Sequence, residues 1–262
     1  DNTYYIDKCT ELEKCIEMNS TLQEVKIKYE GGNEITSIII SVIRGVTRNK
    51  TITSLGIDLT THINFNVLAP PPPLPDGVIE QLLKDNNTLQ ALSLNISNEL
   101  LPSSLTIVEV NTPLTALEIG GWRNSSELMT SSLLPHIKGL LCLILHDPYP
   151  PHLLFLSHPS LHTLTLPLDT VESATELFTI LQTNTTLKAL SVKIKDLNSS
   201  MHSLEEESRM GSSSSSLVLH MLMQDLQNAL NVAKVYYSLY NGIQNILTEN
   251  QTLKYLEIDN DI

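Results

Sequence analysis

The chain has 262 residues, of which 41% are hydrophobic, an ordinary composition for a protein with a buried core. Its charge is unbalanced, with 29 acidic against 16 basic residues and a formal net charge of −13. Such a surface repels phosphate backbones and anionic lipid, so we expect no nucleic-acid or membrane partner and favour a basic protein partner.

The cysteines and the apolar runs argue against a disulfide-rich, a zinc-binding and a membrane-spanning protein. Cys9, Cys15 and Cys142 are too few and too scattered for a disulfide framework or a zinc site, so we expect reduced thiols and a cytoplasmic protein. The apolar runs are far shorter than the ~20 residues that a membrane-spanning helix needs. The chain begins at Asp1 without a methionine, which we interpret as a fragment of a longer chain.

A recurring frame organises the rest of the chain. Residues 7–18 predict a helix, and the sequence NSTLQEVKI at 19–27 then combines Asn-x-Thr with the pattern L-x-x-L-x-L. The frame returns at residues 49–57, 86–94, 184–192 and 250–258, with looser copies at 113–119, 139–145 and 160–166. Its alternating apolar positions predict short strands with one face in the core.

Amphipathic helices are predicted before several of these strands. Residues 33–48, 76–85 and 173–183 each carry one apolar stripe at helical spacing. Asp76 and Ser173 are the predicted helix starts, and Ser173 with Glu176 has the form of a capping box. Helix, Asn-containing turn and strand therefore form the repeating unit.

Residues 77–94 and 174–192 resemble the ribonuclease-inhibitor-like leucine-rich repeats of NOD-like immune receptors. The resemblance implies an α/β leucine-rich-repeat solenoid of about eight repeats, a curved parallel sheet with helices on its convex side. It also implies a protein-binding scaffold that is the ligand-sensing or autoinhibitory arm of a cytosolic protein of that type. The alternative is a structural or regulatory adaptor similar to tropomodulin or the ribonuclease inhibitor, docking a basic protein.

The predicted solenoid covers residues 1–262 and is interrupted twice. A proline loop spans residues 64–75, in which Pro72, Pro73, Leu74 and Pro75 form a docking motif for WW, EVH1 or profilin-type readers or, alternatively, part of a stiff loop. An insertion spans residues 197–247. Its first part is polar and predicts a flexible loop, and its second part predicts helices with a break near Asn241 and Gly242, because Gly disfavours a helix interior.

Two other segments depart from the unit. Residues 105–110 match the frame by letter but lie too close to the next repeat, so we expect an extended segment there. Residues 147–159 are rich in Pro and His and predict turns or one 3₁₀ turn. Five histidines lie in or near this region, but prolines separate them and no carboxylate or thiol lies at helical spacing beside a pair, so we expect no metal.

No catalytic or phosphate-binding motif is present, so we expect neither an enzyme nor a cofactor. The recurring Asn-x-Thr belongs to the frame, and we therefore discount it as a glycosylation signal. Eight strands at ~4.8 Å spacing make a concave wall roughly 35 Å wide, which suits a protein partner. The ligand-binding candidates on this wall are Lys26, Asp58, Ser93, Glu118, His146, Thr165, Ser191, Glu257 and Asp259.

Overall fold

A computed structural model describes residues 2–28, 35–59, 72–96, 100–102, 109–120, 126–194, 237 and 240–260. Within them, eight strands form one open parallel sheet in which each strand pairs with its neighbours in chain order. The strands are β1 (Glu24–Lys28), β2 (Ser54–Asp58), β3 (Ala91–Asn95), β4 (Ala116–Gly120), β5 (Cys142–Leu145), β6 (Thr163–Leu168), β7 (Ala189–Ile194) and β8 (Tyr255–Asn260).

Helices connect most of the strands. They are α1 (Asn2–Met18), α2 (Ile35–Arg48), α3 (Val78–Asp85), α4 (Ser126–Leu133), α5 (Pro151–Ser157) and α6 (Val171–Thr183), with a 3₁₀ turn at Leu134–His136 and a further helical segment at residues 240–249. The predicted α/β fold with a parallel sheet is confirmed in this form, and the leucine-rich-repeat type stays a prediction. None of the described helices is long and apolar enough to cross a membrane.

The frame sets the register of the sheet. In β3, Leu92 and Leu94 are buried whereas Ala91, Ser93 and Asn95 are half-buried, as the twofold alternation of a strand requires. Equivalent frame positions pair across all eight strands without a slip. The resulting row of core side chains is Leu55, Leu92, Leu117, Leu143, Leu164 and Leu190.

The asparagines of the frame bind successive turns together. Asn86 is fully buried, and its Nδ2 donates to the Val46 carbonyl oxygen at 2.8 Å while its Oδ1 accepts from the backbone nitrogens of Thr88 and Leu89 at 2.9 and 2.8 Å. Asn49 repeats this pattern one turn earlier, donating to Ile16 and Asn19. We call this series, which Asn184 and Asn250 continue, the asparagine ladder.

Helix α6 begins earlier than the sequence predicts. Its first residue is Val171, and Thr170 is the cap, with a side-chain oxygen that accepts from the backbone nitrogen of Ser173 at 3.1 Å. The prediction that Ser173 opens the helix with Glu176 as a capping box is therefore wrong. Thr170 has the same hydroxyl chemistry and lies where the chain leaves β6, so it satisfies one of the first free amides of the helix.

The Pro- and His-rich segment is more regular than predicted. Residues 151–157 form the α-helix α5, where turns or one 3₁₀ turn were expected. Pro151 occupies the first position of the helix, which needs no backbone N–H and which suits the fixed φ of proline. The prolines therefore start a helix here, whereas the sequence pattern suggested that they would interrupt one.

The predicted break at Asn241 and Gly242 is absent, because residues 240–249 are helical throughout. A Cβ atom built on Gly242 would lie 2.4 Å from Cδ2 of Phe178. The glycine therefore allows the segment to approach α6 closely, and this packing outweighs its low helix propensity. Predictions for residues 64–71, 105–108 and 197–236 lie outside the described residues.

Candidate functional site

One face of the sheet carries no described helix, and we call it the open face. It presents the outward positions of each strand, most of which are small, polar or charged, with Ile144 as an apolar exception. These positions form rows, and the central row runs through Lys26, Gly56, Ser93, Glu118, Ile144, Thr165, Ser191 and Glu257.

Three of the predicted ligand-binding residues meet at the middle of this face. Ser93 Oγ donates to Glu118 Oε2 at 2.8 Å, and His146 Nε2 lies 2.9 Å from Glu118 Oε1. Asn95 Nδ2 also donates to Oε1, at 3.4 Å. Ser93, Asn95, Glu118 and His146 form what we call the Glu118 cluster, which draws its members from β3, β4 and the residue that follows β5.

Gly120 makes this arrangement possible. A Cβ atom there would lie 2.5 Å from Asn95 Oδ1 and 2.7 Å from His146 Cδ2. A side chain at this position would displace the side chains of Asn95 and His146, so the glycine permits their close approach. The imidazole of His146 therefore lies across the end of β4 and reaches back to the carboxylate.

The hydrogen bonds hold Glu118 in its ionised form. Partial burial acts to raise the pKa of its carboxyl group, but the hydrogen bonds from His146, Ser93 and Asn95 outweigh this effect and the pKa lies below its usual value. The side chain is still 32% exposed, so the negative charge is open to a ligand. Burial and the charge of Glu118 together raise the pKa of the neighbouring Cys142 thiol, which favours its protonated form.

The order of contacts suits binding better than nucleophilic catalysis. A serine nucleophile needs a histidine at its hydroxyl group to take the proton. Here the carboxylate of Glu118 lies between Ser93 and His146 and contacts each through a different oxygen. The cluster therefore offers a fixed anion to a cationic group or an N–H donor.

A groove of about 230 Å³ runs along the open face beside Glu118. Its floor is formed by small residues, Gly56, Ala91 and Ala116, and Lys26 lies at one end. Small residues on adjacent strands leave room for side chains of a partner, whereas bulky ones would fill it. Glu118 and Glu24 are the acidic residues that line the groove.

The remaining candidates of the open face lie apart from the cluster. Ser191 Oγ donates to Glu257 Oε2 at 2.9 Å near the β8 edge, where Asp259 is exposed. Lys26 is exposed at the opposite edge. Asp58 and Thr165 are half-buried on β2 and β6. The structure therefore places all the predicted residues on one face and brings two groups of them together, Ser93 with Glu118 and His146 at the middle and Ser191 with Glu257 near the β8 edge.

The proposed docking motif is only partly at the surface. Pro72, Pro73 and Pro75 are exposed, but Leu74 is 2% exposed and its backbone nitrogen donates to the Leu100 carbonyl oxygen at 2.8 Å. Thr36 Oγ1 donates to the Pro72 carbonyl oxygen at 2.6 Å. A reader of this motif would therefore contact the prolines and not the leucine.

The histidines have separate environments. His152 Nδ1 lies 2.8 Å from Glu176 Oε1 beside a cleft of about 430 Å³ between the end of β6 and α6. His158 is buried and directly follows α5. Among the residues that the structure describes, no group of three or more His, Cys, Asp or Glu side chains is arranged to hold a metal ion.

Asn95 and Gly120 are functional candidates that the sequence analysis did not select. Both occupy the final outward position of their strands and pair with each other in register. When the frames are aligned on their first leucine, Asn95 of one repeat lies beside Gly120 of the next. A polar residue beside a glycine on adjacent strands indicates that side chains can approach the backbone closely there. Asn95 Oδ1 is buried and has no hydrogen-bond partner within the described residues.

The structure and the cluster together define a class, a repeat-like α/β protein with an open sheet face and an anionic centre. Comparison with models of known protein families and with curated proteins found no match to this chain.

Proposed function

We propose that this chain is a protein-binding repeat scaffold that docks a basic protein segment on its open face. The observation that carries the proposal is the Glu118 cluster, an ionised carboxylate fixed by three hydrogen bonds above a floor of small residues. The Glu118 side chain is partly exposed, so its carboxylate is open to the N–H donors of a ligand. An arginine or lysine side chain supplies both the positive charge and the donors.

The net charge of −13 supports the same proposal at longer range. A chain this acidic attracts a basic partner from a distance, and the attraction weakens as salt rises. The fixed carboxylate then contributes orientation because its position is already set before binding. Added salt therefore tests the long-range attraction, and mutation of the fixed carboxylate tests the docking.

An arginine-rich peptide labelled with a fluorophore is a suitable probe, with binding measured by fluorescence anisotropy near physiological salt. Glu118→Gln removes the charge but retains the shape of the side chain, and we expect about tenfold weaker binding. Glu11→Gln is the matched control, because Glu11 is exposed on α1, away from the open face. Equal losses in the two variants would show that the peptide senses only the net charge and would overturn the proposal.

More specifically, we propose that the scaffold is the ligand-sensing or autoinhibitory arm of a cytoplasmic protein of the NOD-like-receptor type. This rests on the resemblance of residues 77–94 and 174–192 to leucine-rich repeats of those receptors. The order of domains in the full-length protein tests it. A nucleotide-binding module with a P-loop upstream would support this role, and an actin-binding or kinase segment would contradict it in favour of the adaptor.

A further inference from the structure

The two carboxylate oxygens of Glu118 have different surroundings. Oε1 accepts from Asn95 Nδ2 at 3.4 Å and lies 2.9 Å from His146 Nε2. An ionised carboxylate has no proton to give, so this ring nitrogen carries the proton and donates it. Within the residues that the structure describes, Oε2 accepts one hydrogen bond, from Ser93 Oγ at 2.8 Å. Each carboxylate oxygen offers about two acceptor positions, so Oε1 is fully used and Oε2 keeps one position.

The free position on Oε2 faces the groove of the open face. Ser93 and Glu118 line this groove, whereas Asn95 and His146 do not. The two donors on Oε1 therefore lie on the side of the carboxylate that is turned away from the groove, and a ligand in the groove meets Oε2. Ser93 Oγ lies beside that oxygen. Its hydroxyl group donates its proton to Oε2, and its own lone pairs remain available as acceptors.

The rest of the groove near Glu118 is apolar and narrow. Ala91 and Ala116 pair in register on β3 and β4, and the half-buried Cys142 and Ile144 follow on β5. The volume of about 230 Å³ is below the ~300 Å³ at which small-molecule sites begin, so the groove suits one or two side chains of a partner. An unbranched aliphatic stem fits over the alanines and places its charged end at Glu118.

We propose that the groove selects lysine over arginine, so that the partner is a lysine-bearing segment of a basic protein. The proposal rests on the proposed function and names the side chain that docks. An arginine fork binds a carboxylate through two parallel N–H groups, one on each oxygen, and Oε1 has no position left for the second. An ammonium group is a compact charge with three rotatable donors, so it uses the free position of Oε2 together with Ser93 Oγ.

Two peptides of equal length and charge test this selectivity, one rich in lysine and one rich in arginine, each with the same fluorophore. Binding is measured by fluorescence anisotropy near physiological salt. We expect the wild-type chain to bind the lysine peptide about fivefold more tightly, which is the effect of about one hydrogen bond. A third peptide, with acetylated lysines, retains the stems but loses the charge, and we expect it to bind at least about tenfold more weakly than the lysine peptide.

The decisive variant combines Asn95→Ala with His146→Ala, which removes both donors from Oε1. An arginine fork can then use both oxygens, so the ratio of the two Kd values falls to about one or reverses. Ser191→Ala is the matched control, because it removes a hydrogen bond to Glu257 on the same face but outside the groove, and it keeps the wild-type ratio. Circular dichroism checks that the variants retain the fold.

Failure of this inference is distinguishable from failure of the proposed function. Equal affinities, or tighter binding of the arginine peptide, would overturn the inference, and the proposed function would stand if Glu118→Gln still weakened both peptides more than Glu11→Gln does. A lysine preference that persists in the double variant or in Glu118→Gln would also overturn it, since the preference would then arise elsewhere on the surface. Equal effects of Glu118→Gln and Glu11→Gln would overturn the proposed function itself.

Discussion

At the scale of single residues, the asparagine ladder shows how one side chain ties two turns of the chain together. Asn86 uses both the donor and the acceptor of its amide in the interior, where an unpaired polar group is costly. Its neighbour Asn87 is exposed, and within the part of the chain that the structure describes it accepts one long hydrogen bond, from Lys50 Nζ at 3.5 Å. Two adjacent asparagines therefore contribute very differently to the stability of the fold.

We expect Asn86→Ala to lower the free energy of unfolding by about 3 kcal/mol, since it removes three hydrogen bonds and leaves buried backbone groups unpaired. Asn87→Ala is the matched control and should cost less than about 0.5 kcal/mol. Urea denaturation followed by circular dichroism measures both. Similar losses in the two variants would show that the ladder does not stabilise the described turns.

The sequence predicts the role of a single residue well where that residue acts within its own turn. Asn86 recurs with the frame, so its importance is visible as a pattern. The contacts of Glu118 are different, because its partners Ser93 and His146 lie in other repeats. The alternation of a strand predicts that all three face outward, but it does not predict which outward side chains are long enough to meet.

At the scale of elements, strands were easier to predict than helix ends. A strand of the frame is fixed by its leucines, whereas the start of α6 depends on whether Thr170 or Ser173 caps it, and both have suitable hydroxyl groups. Pro151 was interpreted as a turn former although proline also favours the first helical position. The helical segment 240–249 packs on Phe178, which is far away in the sequence. Local helix propensity therefore could not predict this segment.

A substitution at Gly242 separates the effect of helix propensity on stability from the effect of packing against Phe178. In an exposed helix, Gly→Ala stabilises by about 1 kcal/mol. We expect the opposite sign for Gly242→Ala, a loss of about 1 to 3 kcal/mol, because the new methyl group overlaps the ring of Phe178. Thermal unfolding monitored by circular dichroism gives the sign.

Asn245→Ala, at an exposed position of the same helical segment, is the control and should be neutral or slightly stabilising. A gain in stability from Gly242→Ala would mean that the segment does not pack closely on α6.

At the scale of the whole molecule, acid has two opposing effects on stability. Lowering the pH reduces the net charge of −13 and so relieves repulsion between carboxylates. His158 acts in the other direction. Burial lowers the pKa of its imidazole below the usual 6.5, against a smaller opposing effect of the Leu134 backbone, so the folded chain binds this proton less readily than the unfolded chain does.

His158 therefore stabilises the fold above about pH 6.5, and this contribution is lost as the pH falls through and below that value. We expect His158→Gln to lose less stability than the wild-type chain between about pH 7.5 and about pH 5.5. Urea denaturation at the two pH values measures the difference. His136→Gln, at an exposed histidine, should keep the wild-type slope, and an unchanged slope in His158→Gln would contradict the assignment.

The helix that runs through Asn241 and Gly242 also affects the chemical durability of the chain. An asparagine followed by glycine is prone to deamidation, because the glycine nitrogen can attack the side-chain carbonyl and close a succinimide ring. That attack needs a backbone conformation that a packed helix does not adopt, and residues 240–249 are helical and held against Phe178. Slow conversion of Asn241 to aspartate during storage, read by mass spectrometry, therefore reports how often this segment opens.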